Sequence, residues 1–291
     1  MLYGILLAQG LALGLIYGLI GLGFSLVFRT AGLLNFALKD LVMIGAMVGY
    51  TVLSVTSLSF VQGMIIVMLA VGLLTALSER LIFLRVRLRG GGIVNAVIAS
   101  IGLLMILNQS AILVWGAEPL SYPERFSGGV LRVGSIILPS QSVWIAALGL
   151  GVMIALQLFL RYTTPGIALR AVADDRLMSE LVGINANRAT LYTFLISGAL
   201  AGASGMLLGP LYYASYTLGL IGIKGFAAAI LGGLGNLPGA VLGGILLGLA
   251  ESFGTVYISS AYREVVAYVV MIAVLLWRPQ GLLGARERVD T

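Results

Sequence analysis

The stretch Gly222–Phe253 reads GIKGFAAAILGGLGNLPGAVLGGILLGLAESF. Lys224 and Glu251 carry charge, and nothing between them does. About 20 apolar residues cross a bilayer as a helix, so the run is too long for one ordinary span. Its middle, Gly232 to Gly239, is GGLGNLPG, and Gly and Pro end helices. Two short helices are therefore expected, about Gly222–Leu234 and Gly239–Phe253, joined by that loop. Folded at Asn236–Leu237, the hairpin places Lys224 roughly 12 residues before the turn and Glu251 roughly 14 after it, so their depths match within about 3 Å at 1.5 Å per residue. Charges inside spans are rare and costly. An ion pair near the external mouth is expected, the alternative being that each side chain snorkels separately to the interface.

The rest of the chain agrees that the solvent is lipid. Of 291 residues 60% are apolar and 10% charged, with a mean hydropathy of +1.08, against about 25% charged in soluble domains. Further spans are expected near Leu6–Phe28, Leu41–Leu58, Val61–Leu84, Ile93–Trp115, Ser142–Leu160, Leu191–Leu211 and Glu264–Trp277. The fold class is all-α: a polytopic transmembrane helical bundle with eight to nine membrane segments, read as a single transmembrane domain over 1–291. Met1–Phe28 lacks the basic start of a signal peptide and is expected to stay as a span. Glu79 and Arg80 are expected to anchor at an interface by snorkelling.

With the N-terminus outside, internal loops hold thirteen Arg and Lys (Arg29, Lys39, Arg80, Arg85, Arg87, Arg89, Arg161, Arg170, Arg176, Arg188, Arg278, Arg286, Arg288) against three outside (Arg125, Arg132, Arg263). The positive-inside rule thus sets the N-terminus outside and the C-terminus in the cytoplasm, which needs an odd number of crossings and favours nine. Parity weakens if Gly232–Gly239 is re-entrant. The net charge of +6 reports such loops rather than nucleic-acid binding.

Absences restrict the chemistry. The chain has no Cys and no His, which removes thiol nucleophiles, Ser-His-Asp triads and the familiar zinc and haem sites, so neither a catalytic nor a metal site is expected. Its two lysines, Lys39 and Lys224, follow Leu38 and Ile223, so there is no Gly-Lys dipeptide for a Walker A loop.

Two soluble segments remain. Gly116–Gln141 reads as an external loop, and Arg161–Arg188 as an internal one. The latter opens with Thr163-Thr164-Pro165, suited to a capped helix start, and Gly183 suits its end. Leu177, Leu181 and Ile184 recur at helical spacing. One charged amphipathic helix is expected over Arg170–Gly183, either docking on a partner or resting on headgroups. Glycines spaced by four, such as Gly10, Gly14 and Gly18, suit close helix packing. In the hairpin, packing and pathway lining are equally open for Gly233, Gly235 and Pro238. Asn35 and Asn236 each precede an outward-going helix and either line an inner mouth or cap a helix.

Four motifs in order carry a family resemblance. Asn35-Phe36-Ala37 with Asp40, Met43-Ile44-Gly45-Ala46 and Tyr50 resembles the NFAHGE…MLGAY stretch of bacterial ABC-transporter permeases for branched-chain amino acids. Gly166–Arg176 with Leu181-Val182-Gly183-Ile184-Asn185 resembles their cytoplasmic coupling segment, and Phe194–Pro210 with Lys224–Gly239 their C-terminal half. Arg278-Pro279-Gln280-Gly281-Leu282 resembles their usual ending. The shorter, H-type subunit is the closest type. The sequence departs at Leu38-Lys39, where the family usually has His-Gly, and at Met178-Ser179, where it usually has two small residues.

The resemblance implies a permease subunit of an ATP-driven importer in the bacterial inner membrane, with amino acids, by default branched-chain ones, as cargo. It implies a second permease subunit, two cytoplasmic ATPase subunits that use ATP and Mg, and an external solute-binding protein, with no cofactor on this chain. It further implies that Arg170, Asp174, Asp175, Arg176, Leu177, Glu180, Leu181 and Gly183 couple to the ATPase. A self-contained, ion-coupled secondary transporter of small polar solutes, with Lys224, Glu251 or Asp40 as coupling charge, is the competing function, and a non-transport membrane component a third.

Overall fold

The computed structural model describes residues 2–123, 130–133, 136–257, 259 and 262–284. Arg125, Arg286 and Arg288 of the charge count lie outside the described residues. The chain is a helical bundle. In order come α1 (Leu2–Ala31), α2 (Leu38–Val55), α3 (Phe60–Ser78), a π turn (Glu79–Phe83), α4 (Leu84–Leu88), α5 (Ile93–Trp115) and α6 (Ser140–Tyr162). Then follow α7 (Thr164–Asp174), α8 (Arg176–Leu181), α9 (Ala186–Tyr212), α10 (Gly219–Gly232), α11 (Leu237–Tyr257) and α12 (Arg263–Trp277). Seven helices are long and apolar enough to cross a membrane: α1, α2, α3 with its continuation to Leu88, α5, α6, α9 and α11. The other two expected segments, α10 and α12, have 14 and 15 residues, roughly 21 and 22 Å at 1.5 Å per residue. Seven helices thus have full span length, slightly fewer than the eight to nine membrane segments expected, with α10 and α12 as the short ones.

The long α1 runs through the centre with its apolar surface buried, whereas α5 and α6 leave most of theirs for lipid. Hydrophobicity alone does not draw helices together in lipid, so small residues that permit close approach carry the packing. On α1 against α11, a Cβ at Gly244 or Gly248 would collide with the backbone of Gly14 and Gly18 or of Gly10 and Gly14. A Cβ on Gly45 of α2 would stand 2.7 Å from the Cα of Gly202 on α9. The expected four-residue glycine spacing is therefore the seam of both pairs.

Two departures concern non-helical backbone. After α1 the chain doubles back: Leu38 packs on Gly23, and the Phe36 ring meets Phe226 at 5.3 Å. Gly23 lies six residues before Arg29, so α2 starts about 9 Å in from the Arg29 end of the bundle. The other concerns the external loop. It carries a short antiparallel hairpin, Val130–Val133 with Ile136–Pro139, before α6 starts at Ser140. Leu120 and Ala214 exchange backbone hydrogen bonds of 2.8 and 2.9 Å. Tyr122 then inserts beside Gly49 and Gly209, its hydroxyl donating to Ala46 O at 2.6 Å. Burial pushes the phenol pKa above its ordinary value, keeping it a neutral donor.

Candidate functional site

Three clusters of polar side chains lie in this apolar frame. The largest centres on Glu251, fully buried on α11. Lys224 of α10 donates to Glu251 Oε1 at 2.8 Å, so the pair expected from hairpin geometry is formed. It is not alone. Tyr17 of α1 donates its hydroxyl to Glu251 Oε2 at 2.7 Å, and Arg263 at the start of α12 brings Nε within 2.6 Å of Oε1. Arg263 also donates to the Tyr212 hydroxyl at 2.5 Å, and Glu264 stands 3.6 Å from Lys224. The Lys224 ammonium lies 5.9 Å from the Tyr17 ring centre and the Arg263 guanidinium 5.5 Å from that of Tyr212, both within cation–π range. Four helices, α1, α10, α11 and α12, meet at one carboxylate, and α9 joins them through the Tyr212–Arg263 bond. Neither Lys224 nor Glu251 snorkels: both are buried. The sequence pointed to the pair but not to Tyr17, Tyr212 or Arg263. A Tyr in an apolar helix carries no pattern, and Arg263 read as a loop charge.

The hairpin turn forms the second cluster. Gly233 and Gly235 take φ of 102° and 87°, a region that Cβ sterics deny most residues. Asn236 accepts from the Gly239 N–H at 2.9 Å and so caps α11, and it donates to Leu283 O at 2.7 Å. Leu282 and Leu283 donate to Leu231 O and Gly232 O at 2.8 and 3.0 Å. The Arg278–Gly284 segment thereby straps the tip. Gly235 lies against Phe28 and Arg29, so the tip reaches the Arg29 end of the bundle instead of stopping halfway. Pro238 is exposed in the first turn of α11. Asn35 is buried beside the start of α2 and accepts from the Ala37 N–H at 3.1 Å. Asn236 therefore caps its helix, whereas Asn35 closes a local turn just before α2, whose own start at Ala37 has no side-chain cap. Near Asn35, Lys39 Nζ donates to Asp40 Oδ1 at 2.6 Å, with the Asp40 carboxyl fully buried.

The third cluster is the short-helix pair at the Arg29 end. Thr163 accepts from the Gly166 N–H at 3.1 Å, as its capping pattern suggests, and Gly183 closes the segment at φ 89°. The expected single helix over Arg170–Gly183 is instead two helices. Asp175 adopts extended φ/ψ of −152° and 110° and accepts from the Met178 N–H at 2.9 Å. An Asp favours exactly such a cap over a helix interior because its short side chain competes for nearby N–H groups. Asp175 thus caps α8 while its side chain stays at the surface. Asp174 pairs with Arg29 at 2.8 Å, Arg176 with Glu180 at 3.5 Å and with Asn187 Oδ1 at 3.0 Å, and Arg170 reaches Arg161 O at 3.4 Å. Leu177 and Leu181 are 66% and 73% exposed, so none of the described residues covers them. Because Arg29–Asp174 is solvent-exposed, Asp174→Asn is expected to lower stability by less than about 1 kcal/mol, checked by thermal unfolding in detergent at low and high salt.

Glu79 corrects a further expectation. It does not snorkel; it is buried in the π turn and paired with Arg87. Arg80, next to it, is exposed.

Long apolar helices packed through glycine, with charges paired inside and two short helices projecting beyond one end, define a polytopic membrane protein. The chain belongs to the family of branched-chain amino acid transport system permease components, whose model matches residues 6–275. It is 36% identical to the high-affinity branched-chain amino acid transport system permease protein BraD of Pseudomonas aeruginosa, over 97% of this chain and 95% of that one. It is 35% identical to the corresponding protein LivH of Escherichia coli, over 96% and 94%. More distantly, it is 26% identical to the ribose import permease protein RbsC of Escherichia coli, over 64% and 61%. Among solved structures, PsaBC from Streptococcus pneumoniae in complex with Fab shares the fold, with a TM-score of 0.52, 14% identity, and coverage of 94% of this chain and 91% of that one.

Proposed function

We propose that this chain forms one wall of the membrane path of an ATP-driven amino-acid importer, with branched-chain amino acids as cargo. A second permease subunit supplies the other wall, two ATPase subunits using ATP and Mg dock in the cytoplasm, and an external binding protein delivers the amino acid. The positive-inside rule puts the Arg29 end in the cytoplasm and the N-terminus outside. The observation that carries this reading is the α7–α8 pair: its capped, charge-latched helices hold Leu177 and Leu181 uncovered, in a chain without a Walker A loop. Such a face suits a groove on a motor subunit, so that nucleotide-driven closure moves the helices. A self-contained ion-coupled transporter needs a charge free to take up the ion, and Glu251 and Asp40 are already paired.

The double substitution Leu177→Asp, Leu181→Asp tests the docking. Because both side chains are exposed, the subunit should fold and assemble with its permease partner. ATPase association and ATP-driven leucine uptake into proteoliposomes should fall at least tenfold. Unchanged uptake would refute the docking role, and uptake by this chain alone under an ion gradient would favour the secondary transporter.

A further inference from the structure

We propose that the groove between α3, α6 and α9 binds one anionic phospholipid, with an acyl chain in the groove and the phosphate on Arg161, Arg170 standing beside it. The groove holds about 510 Å³, and none of its lining residues, among them Met64, Met68, Ala155, Phe159 and Ala199, has a polar side chain. Gly151, also in the lining, is exposed, and a Cβ there would meet nothing within 4 Å. The groove is therefore open to lipid and unfilled by the described residues. On α6 its lining runs from Ala147 to Phe159, about 18 Å at 1.5 Å per residue. One leaflet of a bilayer with a core of ~30 Å has about 15 Å of hydrocarbon, so the length suits a single acyl chain. This lipid site goes beyond the importer reading and names no cargo.

Charge at one end of the groove selects this occupant. Tyr162 follows Ala155 by seven residues and Phe159 by three, so it lies on the same face of α6. It is 68% exposed at the last position of the helix, and amphipathic aromatic rings of this kind sit at headgroup level. The Arg161 guanidinium lies 5.4 Å from the centre of the Tyr162 ring, which carries the cation onto the groove face at its end. Arg170 of α7 donates to Arg161 O at 3.4 Å. That bond brings a second guanidinium to the same place and spends one of its five N–H groups. Both arginines are exposed, and neither has an acidic partner among the described residues. No Asp or Glu occurs anywhere from Arg125 to Ala173. Guanidinium groups match phosphate oxygens in geometry and charge, and basic pockets between membrane helices on the cytoplasmic side hold anionic headgroups. An apolar groove that ends under two unpaired arginines is thus complementary to an acyl chain that ends in a phosphodiester.

The test is native mass spectrometry of the delipidated full-length chain in detergent, titrated with dioleoyl phosphatidylglycerol and, separately, with dioleoyl phosphatidylcholine. One arginine near a membrane surface is worth about fivefold in affinity for anionic lipid, so the first phosphatidylglycerol should bind about fivefold tighter than the first phosphatidylcholine, or more. Arg161→Gln should remove most of that preference, and Arg161→Lys should keep part of it. Arg89→Gln takes the same charge from an exposed arginine at the end of α4, outside the groove lining, and should leave the preference intact. Gly151→Phe places a ring where the acyl chain lies and should weaken both lipids alike. Thermal unfolding of each variant confirms that it is folded. Equal losses in Arg161→Gln and Arg89→Gln would reduce the effect to diffuse charge and overturn the proposal. So would unchanged binding of both lipids in Gly151→Phe. Assembly with a second permease subunit should leave the phosphatidylglycerol adduct in place; its disappearance would assign the groove to a helix of that subunit and likewise overturn the proposal.

Discussion

Glu251→Ala is expected to be the most damaging single substitution among the polar residues. It leaves Lys224 buried and Arg263 partly buried, with their shared carboxylate gone. Removing one partner of a buried ion pair costs about 3–5 kcal/mol, because the desolvated charge that remains has no compensation. Here one removal takes the carboxylate from two cations, leaving Lys224 only the exposed Glu264 and Arg263 the Tyr212 hydroxyl, and it frees the Tyr17 hydroxyl. The expected outcome is a large drop in folded protein recovered in detergent and a lowered midpoint of thermal unfolding. Glu251→Gln keeps the shape and accepts hydrogen bonds, so it should lose less. The swap Lys224→Glu with Glu251→Lys should recover only part of what either single change loses. Arg263, which sits on Glu251 in the native arrangement, would face a lysine after the swap. Removing that repulsion with Arg263→Gln in the swapped background should improve the recovery. Full rescue by the swap alone would mean that Arg263 contributes nothing at this site.

Gly244→Val is the second large effect. Its Cβ would enter the space held by the backbone of Gly14 and Gly18. Flexible side chains can give way, but helix backbone cannot without separating α1 from α11 along their length. Overpacking of a tight core costs typically about 1–3 kcal/mol and occasionally more, and here the obstacle is main chain, so the upper end is expected. Since α11 and α10 form the hairpin that carries both Glu251 and Lys224, the same substitution should disturb the ion cluster. Gly151→Val, on the surface of α6 where a Cβ meets nothing within 4 Å, is the control and should unfold like the unsubstituted protein. Thermal unfolding of both variants in the same detergent decides the matter. Equal midpoints would mean that the α1–α11 seam is looser than the backbone distances imply.

Much of this was legible in the residues. Gly232–Gly239 announced a turn between two helices, and the match in depth of Lys224 and Glu251 announced their pairing, because helical rise is fixed and a charge in lipid seeks its opposite. Thr163 and Gly183 marked the ends of the α7–α8 segment, because caps depend on local backbone geometry. Asp175 escaped notice as a break: its side chain could cap or decorate a surface, and periodicity through Leu177 and Leu181 favoured continuity. Glu79 was read as interfacial because it lies late in its span. The π turn that buries it and the Arg87 that pairs with it are not visible as periodicity.

By itself the sequence determined that the chain is a multi-span helical membrane protein, where it turns, which end gathers the arginines and that neither lysine follows a glycine as a Walker A loop requires. Those properties follow from composition, from helical rise and from local capping, each of which acts within a few residues. The tertiary structure alone decided that Glu251 serves Tyr17, Lys224 and Arg263 at once, that the segment after α12 straps the hairpin tip, and that the start of α2 turns back into the bundle, where Lys39 pairs with buried Asp40. Each of these joins residues far apart in the chain. Which of many small-residue faces meet is settled by backbone complementarity over whole helices, and no local pattern encodes it.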